Sequence, residues 1–184
     1  MTHSLDTTLT EILHLLESSR NMDYFGEPVT QLEHALQTAQ LARETNSDPE
    51  LIIAALLHDI GHLLPDAPRQ DIGVIDHDQA GAAYLHDRGF SPRVVALVQG
   101  HVQAKRYLTA VNPAYFDKLS EASLATLKLQ GGPMSAEETQ AFERDPLSRD
   151  KLLLRSWDER AKLVDHPTPP LDDYRPLVAA HLNR

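Results

Sequence analysis

The sequence predicts a single all-α domain, a compact helical bundle spanning residues 1–184. Three observations predict the helices. Apolar residues recur at i, i+3 and i+4 along most of the chain, the spacing of one buried helical face. Helix-start signals, in which Ser, Asp or Asn stands before Pro or Glu, punctuate it repeatedly. No stretch shows the period-two alternation of a half-buried strand. Roughly eight to ten helices are expected.

Taken in order, Leu5, Leu9, Ile12, Leu13 and Leu16 form the buried face of a first helix. Val29, Leu32, Ala35, Leu36 and Ala39 do the same in a second, which carries His34. Ser47-Asp48-Pro49-Glu50 reads as a cap with Pro in the first turn, and Gly61 is expected to end the apolar helix that follows. After a loop with Pro65, Pro68 and Gly73, a helix is expected from about Asp76 to Arg88, stopped by Gly89. Ser91-Pro92 opens a helix running toward Gly100-His101. Asn112-Pro113, Ser120-Glu121 and Asp145-Pro146 read as three further starts, and Ser135 with Glu138 as a capping box. Pro167-Thr168-Pro169-Pro170 interrupts the chain before a short helix around residues 172–182.

Composition narrows the function. With 41% hydrophobic and 24% charged residues the chain is globular rather than disordered. A net charge of −10 argues against a nucleic-acid surface, which needs Lys and Arg facing phosphate. It leaves room for a small anionic substrate, because a local pocket can be positive on an acidic protein. The absence of cysteine excludes disulfides, thiolate metal sites and a Cys nucleophile. No apolar run is long enough to span a bilayer, and Met1-Thr2-His3-Ser4-Leu5-Asp6 lacks the form of a signal peptide. A cytoplasmic protein with no membrane or nucleic-acid partner is expected; the sequence specifies no oligomeric state.

The chemistry concentrates at the end of the most apolar helix, in Leu57-His58-Asp59-Ile60-Gly61-His62. Burying two imidazoles and a carboxylate among Leu and Ile is costly unless each has a partner, and a metal ion would be one. Six candidate ligands lie on or beside predicted helices: His34, His58, Asp59, His77, His101 and Asp158. Neighbouring residues on a helix diverge by about 100°, so His58 and Asp59 can both reach an ion placed between their directions. Asp59 could also bridge two ions, with four protein ligands on one and three on the other. A plainer reading stands beside each candidate. A His-Asp dipeptide is frequent, a lone helical His is usually a satisfied polar residue, and Asp158 would pass for a solvated helical face. His3, His14, His86, His166 and His181 have no motif context and are expected to be surface or packing residues.

The order His34…His58-Asp59…Asp158 resembles the signature of the HD-domain superfamily, most of whose members are metal-dependent phosphohydrolases. His77 and His101 resemble the subset that holds two metals. Asp23-Tyr24-Phe25-Gly26-Glu27, Gln31-Leu32-Glu33-His34, His101 to Leu108, Ser120-Glu121-Ala122-Ser123 and Leu129-Gln130-Gly131-Gly132-Pro133-Met134 are similar to the PhnZ-like, phosphonate-cleaving branch of the mixed-valence diiron oxygenases. Myo-inositol oxygenase is a more distant member of that group.

The resemblance implies two iron ions, Fe(II) and Fe(III), with O2 as co-substrate. The substrate would be a small organophosphonate, a 1-hydroxy-2-aminoethylphosphonate with a primary or N-methylated amine. Its C–P bond would be cleaved to inorganic phosphate and glycine, or glycine betaine. Hydrolysis of a C–P bond lacks a good leaving group, whereas oxidation at C1 labilises it. Tyr24, Glu27 and Lys105 are implied as catalytic, Tyr24 as an occupant of the open iron position and Glu27 as the partner of the substrate amine. Lys105, one turn after His101, would offer a cation to the phosphonate. His62, Ser123, Gln130 and Arg155 would complete the substrate contacts, Arg155 alternatively orienting a ligand. The plainer readings are a helix-end cap for His62, solvated side chains for Lys105, Arg155, Ser123 and Gln130, and a turn ahead of a helix, with Pro28 in its first turn, for Tyr24 and Glu27. A quaternary ammonium would want aromatic faces, for which Tyr24, Phe25, Tyr107 and Trp157 are candidates. Two other functions remain: an HD phosphohydrolase acting on a nucleotide or phosphate ester, and a domain that binds without turnover.

Overall fold

Helix α3 (Pro49–Leu57) is apolar on every side, and the molecule is built around it. Every residue from Leu51 to Leu57 is buried, as expected of a helix with no polar face. It is started by Asp48, whose side chain accepts from the backbone N–H groups of Glu50 and Leu51, with Pro49 in the first turn. The computed structural model describes residues 5–24, 26–65, 69–70, 73–74 and 76–184.

Helices α2 (Gln31–Glu44), α5 (Pro92–Val111) and α9 (Ser148–Arg160) pack around α3. Helices α1 (Leu5–Ser18) and α10 (Arg175–Leu182) close a second side, and α4 (His77–Asp87) lies along α5. Short helices α6 (Pro113–Phe116), α7 (Glu121–Leu129) and α8 (Ala136–Arg144) complete the bundle, with 3-10 turns at Ile60–Leu63 and Leu171–Tyr174. Leu9, Ile12, Leu13, Leu16, Leu97, Leu154, Trp157 and Tyr174 belong to one continuous apolar core with α3. Among the described residues no helix is long and apolar enough to cross a membrane.

Most expected starts are where the sequence puts them. Ser91, Asn112, Ser120 and Ser135 each accept a backbone N–H as N-caps, and Ser135 with Glu138 forms the capping box. A second box, Thr30 with Glu33, opens α2. Four expectations need correction. Helix α2 begins at Gln31, so Val29 is buried ahead of it and Pro28 is not in its first turn. Asp145-Pro146 precedes rather than opens α9, Asp145 instead accepting from Leu147 N at 2.8 Å. A minimal antiparallel pair, β1 (Arg69–Gln70) with β2 (Gly73–Val74), sits in the loop before α4; two-residue strands are too short to show alternation.

The fourth correction concerns Gly61. Helix α3 ends at Leu57, and Gly61 lies inside the following 3-10 turn. A Cβ there would collide with the backbone carbonyl of His77 and crowd Gly81 N. Gly61 and Gly81 therefore let two backbones touch, locking the turn after Asp59 to the start of α4. Gly100 likewise interrupts nothing: α5 runs through it, and the aliphatic stem of Lys151 fills the space its missing side chain leaves. Gly61→Ala should cost about 1–3 kcal/mol of stability in chemical denaturation, the ordinary penalty of overpacking. It should also reduce bound metal per chain, because Asp59 and His77 flank the joint.

Candidate metal centre and substrate pocket

Five helices and the turn after α3 bring the six candidate ligands together. His34 lies in the first turn of α2, His58 caps the end of α3, and Asp59 follows it as the chain leaves helical geometry. His77 opens α4, His101 is midway along α5 and Asp158 is near the end of α9. All six are buried.

They form two clusters joined at Asp59. In the first, His34 Nε2 lies 3.1 Å from His58 Nε2 and 3.4 Å from Asp158 Oδ1. Asp59 Oδ2 completes it, 3.3 Å from His58 Nε2 and 3.7 Å from His34 Nε2. In the second, His77 Nε2 and His101 Nε2 are 3.0 Å apart, and Asp59 Oδ1 lies 3.3 and 3.4 Å from them. Each oxygen of one carboxylate thus faces its own pair of imidazoles. Donors about 2.1 Å from one ion at right angles stand about 3.0 Å apart, so these spacings fit a metal in each cluster.

Hydrogen bonding supports that fit independently. His34 Nδ1 contacts Ala161 O at 2.9 Å, His58 Nδ1 contacts Ala55 O at 2.9 Å, and His101 Nδ1 contacts Val98 O at 2.6 Å. A carbonyl only accepts, so each Nδ1 carries a proton and Nε2 is the nitrogen left to face a metal. Two imidazole nitrogens facing each other at 3 Å need a proton or a metal ion between them. The carboxylates supply the attraction for one. Burial would raise the carboxyl groups of Asp59 and Asp158, but His58 and the hydrogen-bonding histidines around Asp59, and Arg155 beside Asp158, hold both well below the usual carboxylate range. Burial favours neutral His58, yet the two carboxylates push it up to about 9. The site attracts positive charge, and its donor set of imidazole nitrogen and carboxylate oxygen suits iron among other metals.

A cavity of about 60 Å³ opens onto Asp59, His77, His101 and Asp158. Every residue expected to touch substrate lines it: Tyr24, Glu27, His62, Lys105, Ser123, Gln130 and Arg155. Lys105 follows His101 by one turn of the unbroken α5, as its spacing suggests, and its Nζ donates to Thr126 Oγ1 at 3.0 Å. Burial and the Arg155 guanidinium lower its ammonium to about 7. His62 stacks on His77 with ring centroids 3.9 Å apart, and burial together with His77 holds it well below the usual imidazole range. It sits on the 3-10 turn rather than capping a helix end. Gln130 Oε1 is buried without a hydrogen-bond partner, an acceptor awaiting a donor at the cavity wall.

Arg155 has a different set of contacts. Its NH1 donates to Asp158 Oδ2 at 2.5 Å, its Nε to the Tyr115 hydroxyl at 2.8 Å, and it pairs with Glu159. Those bonds fix Asp158 so that Oδ1 faces His34, which favours the orienting role over direct capture of substrate.

Tyr24 stacks flat on His34, with centroids 3.9 Å apart, and hydrogen-bonds Asp59. Burial and the two carboxylates raise its phenol well above the usual value. The surrounding loop closes tightly: Tyr24 N donates to Val29 O, Glu27 N to Tyr24 O, and Gly26 takes a φ of +81°. Glu27 Oε1 accepts from Ser120 Oγ at 2.7 Å and from Lys162 Nζ at 2.8 Å. Of the aromatic candidates, Tyr107 stacks on Phe142 and bonds Glu143, and Trp157 is buried in the core. Neither lines the cavity, and Phe25 lies outside the described residues.

Lys162, Thr126 and Tyr115 escaped the sequence reading. Lys162 stands four residues after Asp158, the spacing that singled out Lys105 after His101. Thr126 shares a face with Ser123 and Gln130 at helical spacing. Tyr115 carries no such signal.

Two comparisons place this constellation among known proteins. Residues 32–150 match the HD domain family. The chain is 44% identical over 160 residues to a [1-hydroxy-2-(trimethylamino)ethyl]phosphonate dioxygenase (glycine-betaine-forming) of Leisingera caerulea, covering 85% of this chain and 81% of that one. It is 39% identical over 178 residues to a hydroxymethylphosphonate dioxygenase of Gimesia maris, covering 95% and 88%. With the two clusters and the cavity beside them, these matches show that the chain belongs to the HD-domain family, in its PhnZ-like oxygenase branch.

Proposed function

We propose that this protein uses O2 at a diiron centre to cleave the C–P bond of a 1-hydroxyphosphonate, in the first instance a 1-hydroxy-2-aminoethylphosphonate with a primary or N-methylated amine. The products are inorganic phosphate and glycine, or glycine betaine. The observation that carries this reading is the single carboxylate of Asp59 shared between two imidazole pairs, beside a small cavity with cations on its walls. The dioxygenase relatives, both named for phosphonates, support the choice of oxidation over hydrolysis.

His34, His58, Asp59 and Asp158 would hold one iron, and Asp59, His77 and His101 the other. Iron held there would supply the one-electron chemistry with O2 that oxidation at C1 requires. The chain's residues bind and orient. Lys105, His62, Ser123 and Gln130 receive the phosphonate, Lys105 as its main counter-charge. Arg155 holds Asp158 in place. Glu27 faces the amine. Tyr24, stacked on His34 and bonded to Asp59, covers the centre and gives way when substrate arrives. Residues 1–184 act as one catalytic domain, with a location in the cytoplasm and no nucleic acid or membrane as partner.

Anaerobic loading with Fe(II), followed by O2 and a 1-hydroxyphosphonate, should release phosphate only when oxygen is present. Phosphate released equally without oxygen would instead identify a hydrolase. Asp59→Asn should lower bound iron from two per chain to one or none, read by metal analysis after desalting, because an amide cannot bridge with two anionic oxygens. The pH profile reports Lys105. With its ammonium near pH 7 it is cationic below that value and neutral above, so KM for the phosphonate should rise as pH increases through about 7. Lys105→Arg, charged throughout, should flatten that rise.

A further inference from the structure

Glu27 is the one carboxylate lining the cavity, among the described residues, that belongs to neither His/Asp cluster. It is therefore the group on which a cationic part of a substrate would rest, and it is already paired. Lys162 Nζ donates to its Oε1 at 2.8 Å, with both side chains largely buried. The same Nζ stands 6.0 Å from the centre of the Tyr24 ring.

The chain holds Lys162 in that position from both sides. The carbonyl of Ala161 accepts from His34 Nδ1 at 2.9 Å. Leu163 is bonded twice by Gln37, its carbonyl accepting from Nε2 at 2.8 Å and its N–H donating to Oε1 at 3.0 Å. His34 and Gln37 are one turn apart on α2, so a single helix face grips the backbone before and after Lys162. A surface lysine needs no such anchorage. The other end of the cavity is provided for separately, since Lys105 is bonded to the hydroxyl of Thr126 rather than to a carboxylate and can meet an anion without disturbing Glu27.

We propose that Lys162 is a specificity-determining residue: on Glu27 its ammonium holds the place that a cationic C2 substituent of a phosphonate substrate would take, so that amine-bearing substrates must displace it and those without a cationic group need not. This rests on the phosphonate reading given above. A ligand that binds only after an internal contact opens has its apparent affinity reduced by the fraction of protein in the open state. Lys162 thereby penalises amine substrates and leaves hydroxyphosphonates without an amine untouched, which sets the balance between the two.

The test is calorimetric binding, without oxygen, of 2-amino-1-hydroxyethylphosphonate and hydroxymethylphosphonate to the full, iron-loaded chain. Lys162→Met, which keeps the aliphatic stem, should tighten the amine relative to hydroxymethylphosphonate by about tenfold, and Lys162→Arg should keep the wild-type ratio. Glu27→Gln reads the contact from the other side: it should weaken the amine alone, and in its background Lys162→Met should no longer change the ratio. Parallel weakening of both ligands by Lys162→Met would make Lys162 a phosphonate contact and overturn the proposal, as would an unchanged ratio. If the wild-type chain bound neither ligand, the phosphonate reading itself would fall, and this proposal with it.

Discussion

Everything in the site depends on one buried carboxylate placed between two pairs of imidazoles. An isolated carboxylate in an apolar interior would take up a proton, and converging imidazole lone pairs would splay apart. Asp59 avoids the first and holds off the second because it and Asp158 draw positive charge into the space between the rings. Removing one member of such an arrangement leaves the others uncompensated, which commonly costs 3–5 kcal/mol for a buried pair, as an order of magnitude. The clusters thus hold one another in place. The backbone reinforces this, through three carbonyls that fix ring orientation and through the contact of Gly61 with the start of α4.

The cavity follows a different logic. Its cations are kept apart by giving each a distinct partner: Arg155 to Asp158 and Glu159, Lys162 to Glu27, Lys105 to a hydroxyl. Only the last is left without a carboxylate among its bonds. An acidic protein of net charge −10 therefore still offers this recess one ammonium without a carboxylate partner, because pairing decides which charge is available and net charge does not.

The helices and the six candidate ligands were legible because they obey short-range rules. Caps, prolines and apolar spacing act over one or two turns, and the His-Asp pair sits where an apolar helix stops. What escaped was set by contacts between distant segments. Gly61 looks like a stop, but it is small because the His77 backbone must pass there, as Gly100 is small because the Lys151 stem does. Asp145-Pro146 has the letters of a helix start, yet the turn it forms delays α9 until Ser148. Tyr115 and Lys162 gain meaning only from Arg155 and Glu27, forty and 135 residues away in the chain. Trp157 and Tyr107 look like cavity aromatics by position, but their ring faces are taken by the core and by Phe142.

Helix α7 contributes Ala122, Ser123 and Thr126 to the cavity, with Gln130 at its end, yet Leu127 is its one buried residue. It is tied down mainly by polar bonds at its ends and middle, to Glu27, Lys105 and Arg106. The part of the wall that α7 supplies is thus held by side-chain bonds more than by the apolar core that fixes α2 to α5 and α9. Substitutions on the cavity face of α7 therefore remove few core contacts. A family built this way can diversify its diet of small molecules while its inorganic chemistry stays fixed.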